Sequence, residues 1–258
     1  MTTIQTSKSW LICSKPNAKA KLRLFCFHHA GGGAASFSDW SDNLPSSIEV
    51  HFIELPGRGF RLAEKAFVSL NPLVEAIADA LHHNLDKPFT FFGHSMGGLI
   101  CFELARLLRK KHSLNPIHLF VSAHRAPQLP DPDPPIYNLP DSEFLRELRD
   151  LEGTPQAVLE NAELMQLLLP TLRADFTVVD TYTYTAEPAL DCSITAFGGL
   201  QDRQVSYEEL KAWREQTKTT FSLHMLRGNH FFIHSAQSLL LEYLYQDLNR
   251  LVGEVDRS

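Results

Sequence analysis

Cysteine is scarce and scattered: Cys13, Cys26, Cys101 and Cys192 form no C-x-x-C pair and show no metal-ligand spacing. A disulfide framework and a zinc ribbon are therefore excluded as readings. Buried inert thiols in a reducing cytoplasm are the expectation. No apolar run approaches the length of a membrane span. The first twenty residues, MTTIQTSKSWLICSKPNAKA, lack the continuous apolar stretch and cleavage pattern of a signal peptide. Positive charge is not in excess either. With 24 Lys+Arg against 30 Asp+Glu, the formal charge is −6 and the pI about 6.0, giving no general reason to expect nucleic-acid binding. Internal repeats and low-complexity linkers are also missing.

The chain does have apolar runs alternating with helical patterns. Strand-like runs fall at 22–27, 48–53, 89–92, 117–122, 193–197 and 221–226, with helical patterns at 37–44, 73–85, 96–111 and 235–251 between and after them. This alternation predicts an α/β fold with a mainly parallel central sheet flanked by helices. A length of 258 residues, 44% of them hydrophobic, suits one domain spanning 1–258. The rhythm breaks at RAPQLPDPDPPIYNLP, where six prolines in sixteen residues forbid a helix interior or central strand. Helical patterns at 141–150 and 156–169 follow. The interruption, about 125–189, reads as a helical lid, with Leu164 and Leu168 expected to line an apolar pocket.

One stretch carries chemistry. In FFGHSMGGLICFELA, residues 91–105, Ser95 stands between Gly93 and Gly97, after an apolar strand and before a helical pattern. An ordinary Gly/Ser turn is the plain alternative. Strand, sharp turn and helix are, however, the context of a nucleophile elbow, in which a strained serine projects above the sheet. Such a serine needs a base. Ligands meet parallel sheets at the carboxyl ends of strands, and in this fold the triad order is serine, acid, histidine. Among twelve histidines, His230 follows the strand 221–226 through Arg227-Gly228-Asn229, with His234 the weaker rival. Asp202 follows the strand 193–197 in FGGLQD, whose two glycines permit a tight exit loop. Asp191 precedes that strand and belongs at the opposite edge of the sheet. The Met96 N–H is one oxyanion donor in this arrangement. The second comes from His28-His29-Ala30-Gly31-Gly32-Gly33, which lacks both the Lys-Ser/Thr of a P-loop and convincing G-x-G-x-x-G spacing.

LFCFHHAGGG, LPGRG, GHSMGG, FGGLQD and GNHFF occur in an order and spacing that resemble type II thioesterases, over nearly the whole chain from Trp10 to the last helix. These are stand-alone α/β-hydrolases associated with nonribosomal peptide and polyketide synthases. The family often has proline at position 28 and glycine at position 229, where this chain has His28 and Asn229. The resemblance implies an α/β-hydrolase fold, a Ser95–Asp202–His230 triad, and Met96 and Ala30 as oxyanion donors. It implies hydrolysis of acyl or aminoacyl thioesters on the phosphopantetheine arm of acyl or peptidyl carrier protein domains, clearing misprimed or stalled synthases. Chain release and general small-molecule esterase activity are the alternatives. No cofactor, metal, nucleic acid or membrane is expected, and the chain is expected to act as a cytoplasmic monomer. A basic docking site is expected at Arg58 and Arg61, because LPGRGFR follows the strand 48–53 on the Ser95 side. The run Arg106–Lys111 is expected to lie away from the site.

Overall fold

The structure, a computed structural model, describes residues 9–257. The single-domain expectation also takes in residues 1–8 and 258, which lie outside the described residues. Seven strands form one sheet in the order β1-β3-β2-β4-β5-β6-β7. They are β1 (Leu11–Ile12), β2 (Leu22–Phe27), β3 (Ile48–Ile53), β4 (Phe89–His94), β5 (His118–Ser122), β6 (Ser193–Gly199) and β7 (Phe221–Leu226). β1 runs antiparallel to β3; every other pairing is parallel. The helices are α1 (Trp40–Asn43), α2 (Leu70–Leu81), α3 (Met96–His112), α4 (Asp141–Asp150), α5 (Gln156–Leu159), α6 (Ala162–Asp180), α7 (Tyr207–Lys211), α8 (Phe232–Ser235) and α9 (Gln237–Val255).

Alternation along the strands builds two cores. Phe25, Phe27, Phe91, Leu119 and Val121 face α2 and α3, whereas Leu24, Cys26, Phe92 and Phe120 face α1 and α9. Successive side chains on a strand point to opposite faces, so a sheet covered on both sides needs apolar residues at nearly every position. That is why these strands read as continuous apolar runs. A third cluster, Phe144, Leu148, Leu159, Met165 and Leu172, belongs to α4–α6, between β5 and β6.

Two of the helices that differ from their predicted bounds do so at prolines. α2 starts three residues before the predicted 73, because Pro72 falls in its first turn, where no intrahelical N–H bond is lost. The predicted helix 156–169 is instead the short α5 followed by α6, which continues through Pro170 to Asp180. Its second half is held to the core by Thr171, Leu172, Asp175 and Val178, enough to carry the helix past one missing N–H. Among the described residues, no helix is long and apolar enough to cross a membrane. The four cysteines are free thiols, and burial pushes those of Cys26 and Cys101 well above the usual range and that of Cys192 up to about 12.

Candidate active site

β4 ends at His94, α3 starts at Met96, and Ser95 between them takes φ 53° and ψ −120°. A non-glycine residue at positive φ costs roughly 1–3 kcal/mol and persists only where its surroundings impose it. Here the Ser95 N–H donates to the Ser122 carbonyl at 2.7 Å. The flanking glycines are dictated by packing. A Cβ on Gly93 would stand 2.1 Å from the Gly97 carbonyl oxygen, and one on Gly97 would stand 2.1 Å from that of Phe27. The small neighbours of Ser95 thus let β2, β4 and α3 converge. Met96 opens α3, where an N–H has no intrahelical acceptor and is free to donate elsewhere.

Asp202 and His230 come together at the same end of the sheet. The His230 Nδ1–H donates to Asp202 Oδ2 at 2.9 Å, while Asp202 Oδ1 accepts the N–H groups of Gln204 (2.8 Å) and Val205 (3.3 Å). The Asp202 side chain is 0% exposed and that of His230 7%. A carboxylate on Nδ1 fixes the imidazole tautomer and leaves the Nε2 lone pair available. The glycines before Asp202 do not form an exit loop: β6 runs through Gly199. A Cβ on Gly199 would lie 2.4 Å from the Asn229 carbonyl oxygen, so glycine is needed for the histidine loop to rest on the strand. The Gln201 N–H bond to the Gly228 carbonyl (2.9 Å) ties the two loops. Asp191 lies at the other end of β6, exposed and paired with Lys218 at 2.8 Å. His234 is exposed.

Ser95 and His230 border one cleft of about 200 Å³, together with His29, Ala30 and Phe231 from the core. The segment between β5 and β6 supplies its apolar wall: Ile136, Leu148, Leu151, Leu172, Phe176 and Val179. Leu164 and Leu168, expected on that wall, are not on it. On α6 the lining residues Leu172, Phe176 and Val179 follow a four- then three-residue spacing in the C-terminal half. Leu164 lies about 12 Å back along the axis, at roughly 1.5 Å per residue. Leu168, one turn back from Leu172, packs into the α4–α6 cluster instead. Around the cleft His29, His94 and His230 pack as rings, with centroids 6.0 Å apart for His29–His94 and 5.6 Å for His94–His230. Burial, aided by nearby His234 and His230, depresses His29 to about 3, and burial holds His94 well below the ordinary range. Both rings are neutral near pH 7. His94 also turns away from the cleft chemistry, with Nδ1 2.8 Å from Ser122 Oγ.

Arg58 and Arg61 do not form an exposed basic docking site. Arg58 is 7% exposed and clamps Asp175 of α6 with both terminal nitrogens, at 2.7 and 2.8 Å. Arg61 is buried, donates to the Glu54 carbonyl and the Glu64 carboxylate, and lies 4.0 Å over the Trp10 ring. Pairing inside the turn and with α6 withdraws both charges from solvent. Arg106, in the run set aside as remote, is also buried, held by Glu103 and the Thr185 carbonyl. Sequence reasoning missed Asp175. Its signal was an acid placed among Leu172, Phe176 and Val179 on an apolar helix face, where an unpaired charge would be costly. The fold also brings the Cys13, Glu49 and His51 ligand atoms within 4.8 Å of one another. There the Glu49 carboxylate already accepts from Arg23, Asn17 and His51.

The thioesterase domain family model matches residues 22–248. The chain belongs to the thioesterase family. This thioesterase is 48% identical over 252 residues, 98% of each chain, to the gramicidin S biosynthesis protein GrsT of Aneurinibacillus migulanus. It is 46% identical, over 95% of its own length and 94% of the relative's, to a protein of Brevibacillus parabrevis named linear gramicidin dehydrogenase LgrE. The glycine segment of this thioesterase, His28 to Gly33, does not have the G-x-G-x-x-G spacing of a dinucleotide loop. Among solved structures, the type II thioesterase BorB from the borrelidin biosynthetic cluster superposes with a TM-score of 0.84 at 32% identity, covering 92% of this chain and 96% of BorB. The fold is accordingly that of the α/β-hydrolase thioesterases, and the enzyme is a type II thioesterase.

Proposed function

We propose that this thioesterase hydrolyses acyl or aminoacyl thioesters held on the phosphopantetheine arm of carrier protein domains, freeing a nonribosomal peptide or polyketide synthase from misprimed or stalled groups. In this reading Ser95 is the nucleophile, His230 the general base and acid, and Asp202 the residue that orients His230. The Met96 and Ala30 N–H groups hold the oxyanion. The observation that carries the reading is the buried His230–Asp202 hydrogen bond, made at the cleft where Ser95 stands on its strained turn.

The chemistry follows from those groups. His230 Nε2 takes the Ser95 hydroxyl proton as Oγ adds to the thioester carbonyl carbon, and the oxygen becomes an oxyanion facing the two N–H donors. Asp202 stabilises the imidazolium without taking a proton. Collapse breaks the C–S bond, and the carrier thiol leaves with the proton from His230. A thiolate leaves more readily than an alkoxide, so this acid step weighs less than in ester hydrolysis. Water, deprotonated by His230, then adds to the acyl carbon of the Ser95 ester; the C–Oγ bond breaks, His230 returns the proton to Ser95 Oγ, and the free acid leaves. The apolar wall from Ile136 to Val179 accommodates an acyl chain. In this reading the enzyme uses no cofactor or metal and works as a monomer in the cytoplasm, where free thiols such as its four cysteines persist. The test is a panel of acyl-loaded carrier proteins beside the matching free acyl-pantetheine thioesters. Faster hydrolysis of carrier-bound short acyl groups is the expected result. Preference for oxygen esters would favour a general esterase, and cyclised or full-length products a chain-releasing enzyme.

A further inference from the structure

α6 meets the core beside the site at three points. Thr171 Oγ1 donates to the Gly57 carbonyl at 2.8 Å. The Leu172 side chain fills the space that a Cβ on Gly31 would need. Asp175, only 3% exposed, accepts the Gly31 N–H on Oδ2 at 2.7 Å while both its oxygens are gripped by Arg58. Arg58 Nη1 also donates to the Gly32 carbonyl at 3.1 Å. The Gly32 N–H in turn donates to the His29 carbonyl at 3.0 Å.

These bonds fix planes, because each peptide unit is rigid. The His29–Ala30 peptide carries the Ala30 N–H, and its carbonyl is held by Gly32. The next peptide, Ala30–Gly31, is held by Asp175. Arg58 holds the Gly32 carbonyl, further along the segment, so the ion pair anchors the turn that follows the Ala30 amide at two points. The Gly31 N–H is consumed in doing so and is not available to a ligand, whereas Ala30, the oxyanion donor of the catalytic reading, borders the cleft beside His29. We propose that Asp175 is a positioning residue: through Gly31 it aims the Ala30 N–H at the oxyanion, so that the oxyanion hole is complete only when α6 is seated on the core. This rests on the catalytic reading above. A displacement of about 1 Å at such a donor suffices to cost on the order of 100-fold in rate.

Two double variants separate this role from simple stapling. Arg58→Met with Asp175→Leu, and Arg58→Met with Asp175→Asn, both remove the ion pair, and replacing both partners of a buried pair is often close to neutral for stability. Only the asparagine keeps an oxygen for the Gly31 N–H. On a short acyl-pantetheine thioester, the leucine variant is expected to turn over on the order of 10- to 100-fold more slowly than the asparagine variant, with KM within about three-fold. An alkyl boronic acid, which forms a tetrahedral adduct on serine, is expected to bind the leucine variant more weakly by the same factor. Thr171→Val, which removes the neighbouring bond to Gly57 alone, is expected to keep kcat within about two-fold. In the unmodified enzyme, hydrogen exchange is expected to find the Gly31 amide protected with and without the boronic acid. Equal kcat in the two double variants, an equal loss in Thr171→Val, or rapid exchange at Gly31 would each overturn the proposal. Hydrolysis retained by Ser95→Ala would bring down the catalytic reading itself. Inactive Ser95→Ala alongside equal double variants would bring down only the role of Asp175.

Discussion

Two glycine-flanked turns leave parallel strands on the same side of the sheet and end differently. Gly93-His94-Ser95-Met96-Gly97 presents its serine to a cleft; Gly57-Arg58-Gly59 draws its arginine inward. In the first, the flanking glycines let three backbone segments converge, and the serine between them borders the cleft. In the second, a carboxylate on α6, 117 residues further along the chain, takes up the guanidinium. A local motif therefore decides the fate of a small polar group held by backbone contacts. The fate of a long charged side chain is decided by a partner that the local sequence does not contain.

The comparison predicts a large chemical effect at the first turn. Ser95→Ala is expected to lower turnover by roughly 10⁴-fold or more while the protein stays folded, read from steady-state hydrolysis and thermal unfolding. The next largest effect separates two acids on one strand. Asp202→Asn is expected to cost on the order of 10³- to 10⁴-fold with little change in folding, because the amide cannot hold the required histidine tautomer. Asp191→Asn, exposed on Lys218, is expected to be almost silent. The reverse order would mean that the catalytic end of the sheet has been misassigned.

At the second turn the expected effect is on stability. Arg58→Ala leaves the Asp175 charge buried without its partner, which costs about 3–5 kcal/mol, and the melting temperature falls accordingly. The turnover that remains is expected to drop equally on carrier-bound and free thioesters. A loss confined to the carrier-bound form would restore Arg58 as a docking residue. The last effect concerns pH. Desolvation depresses buried His29 to about 3 and half-buried His124, two residues beyond β5, to about 4, against about 6.5 in the unfolded chain. The unfolded state therefore binds more protons between those values, so stability is full above about pH 6.5 and declines as pH falls toward 3–4. Each such histidine contributes a slope of up to about 1.4 kcal/mol per pH unit. Urea midpoints that stay level from pH 7 to 5 would contradict the burial of these rings as neutral groups.

The strands, the sharp turn at Ser95 and the placement of Asp202 and His230 beyond the carboxyl ends of β6 and β7 are legible in the sequence, because each depends on neighbours in sequence or on the direction of one strand. The same reasoning failed at Leu164 and Leu168, since which turn of a long helix faces a cleft is set by where it docks. It failed at Gly199, because glycine that admits a passing backbone looks the same in sequence as glycine that turns. It failed at Arg58 for lack of any local sign of Asp175. Pro170 hid the continuity of α6 for a related reason: tertiary anchoring outweighs one lost helical bond.

The most direct test is to trap the intermediate. The enzyme is mixed with an acyl-loaded carrier protein, quenched within milliseconds to seconds, and analysed by intact and peptide mass spectrometry. The account predicts a transient gain equal to the acyl group, located on the peptide that contains Ser95, with one carrier thiol released per adduct and no adduct in Ser95→Ala. Steady turnover with no acyl-enzyme at any time, or an adduct on another residue, would contradict it.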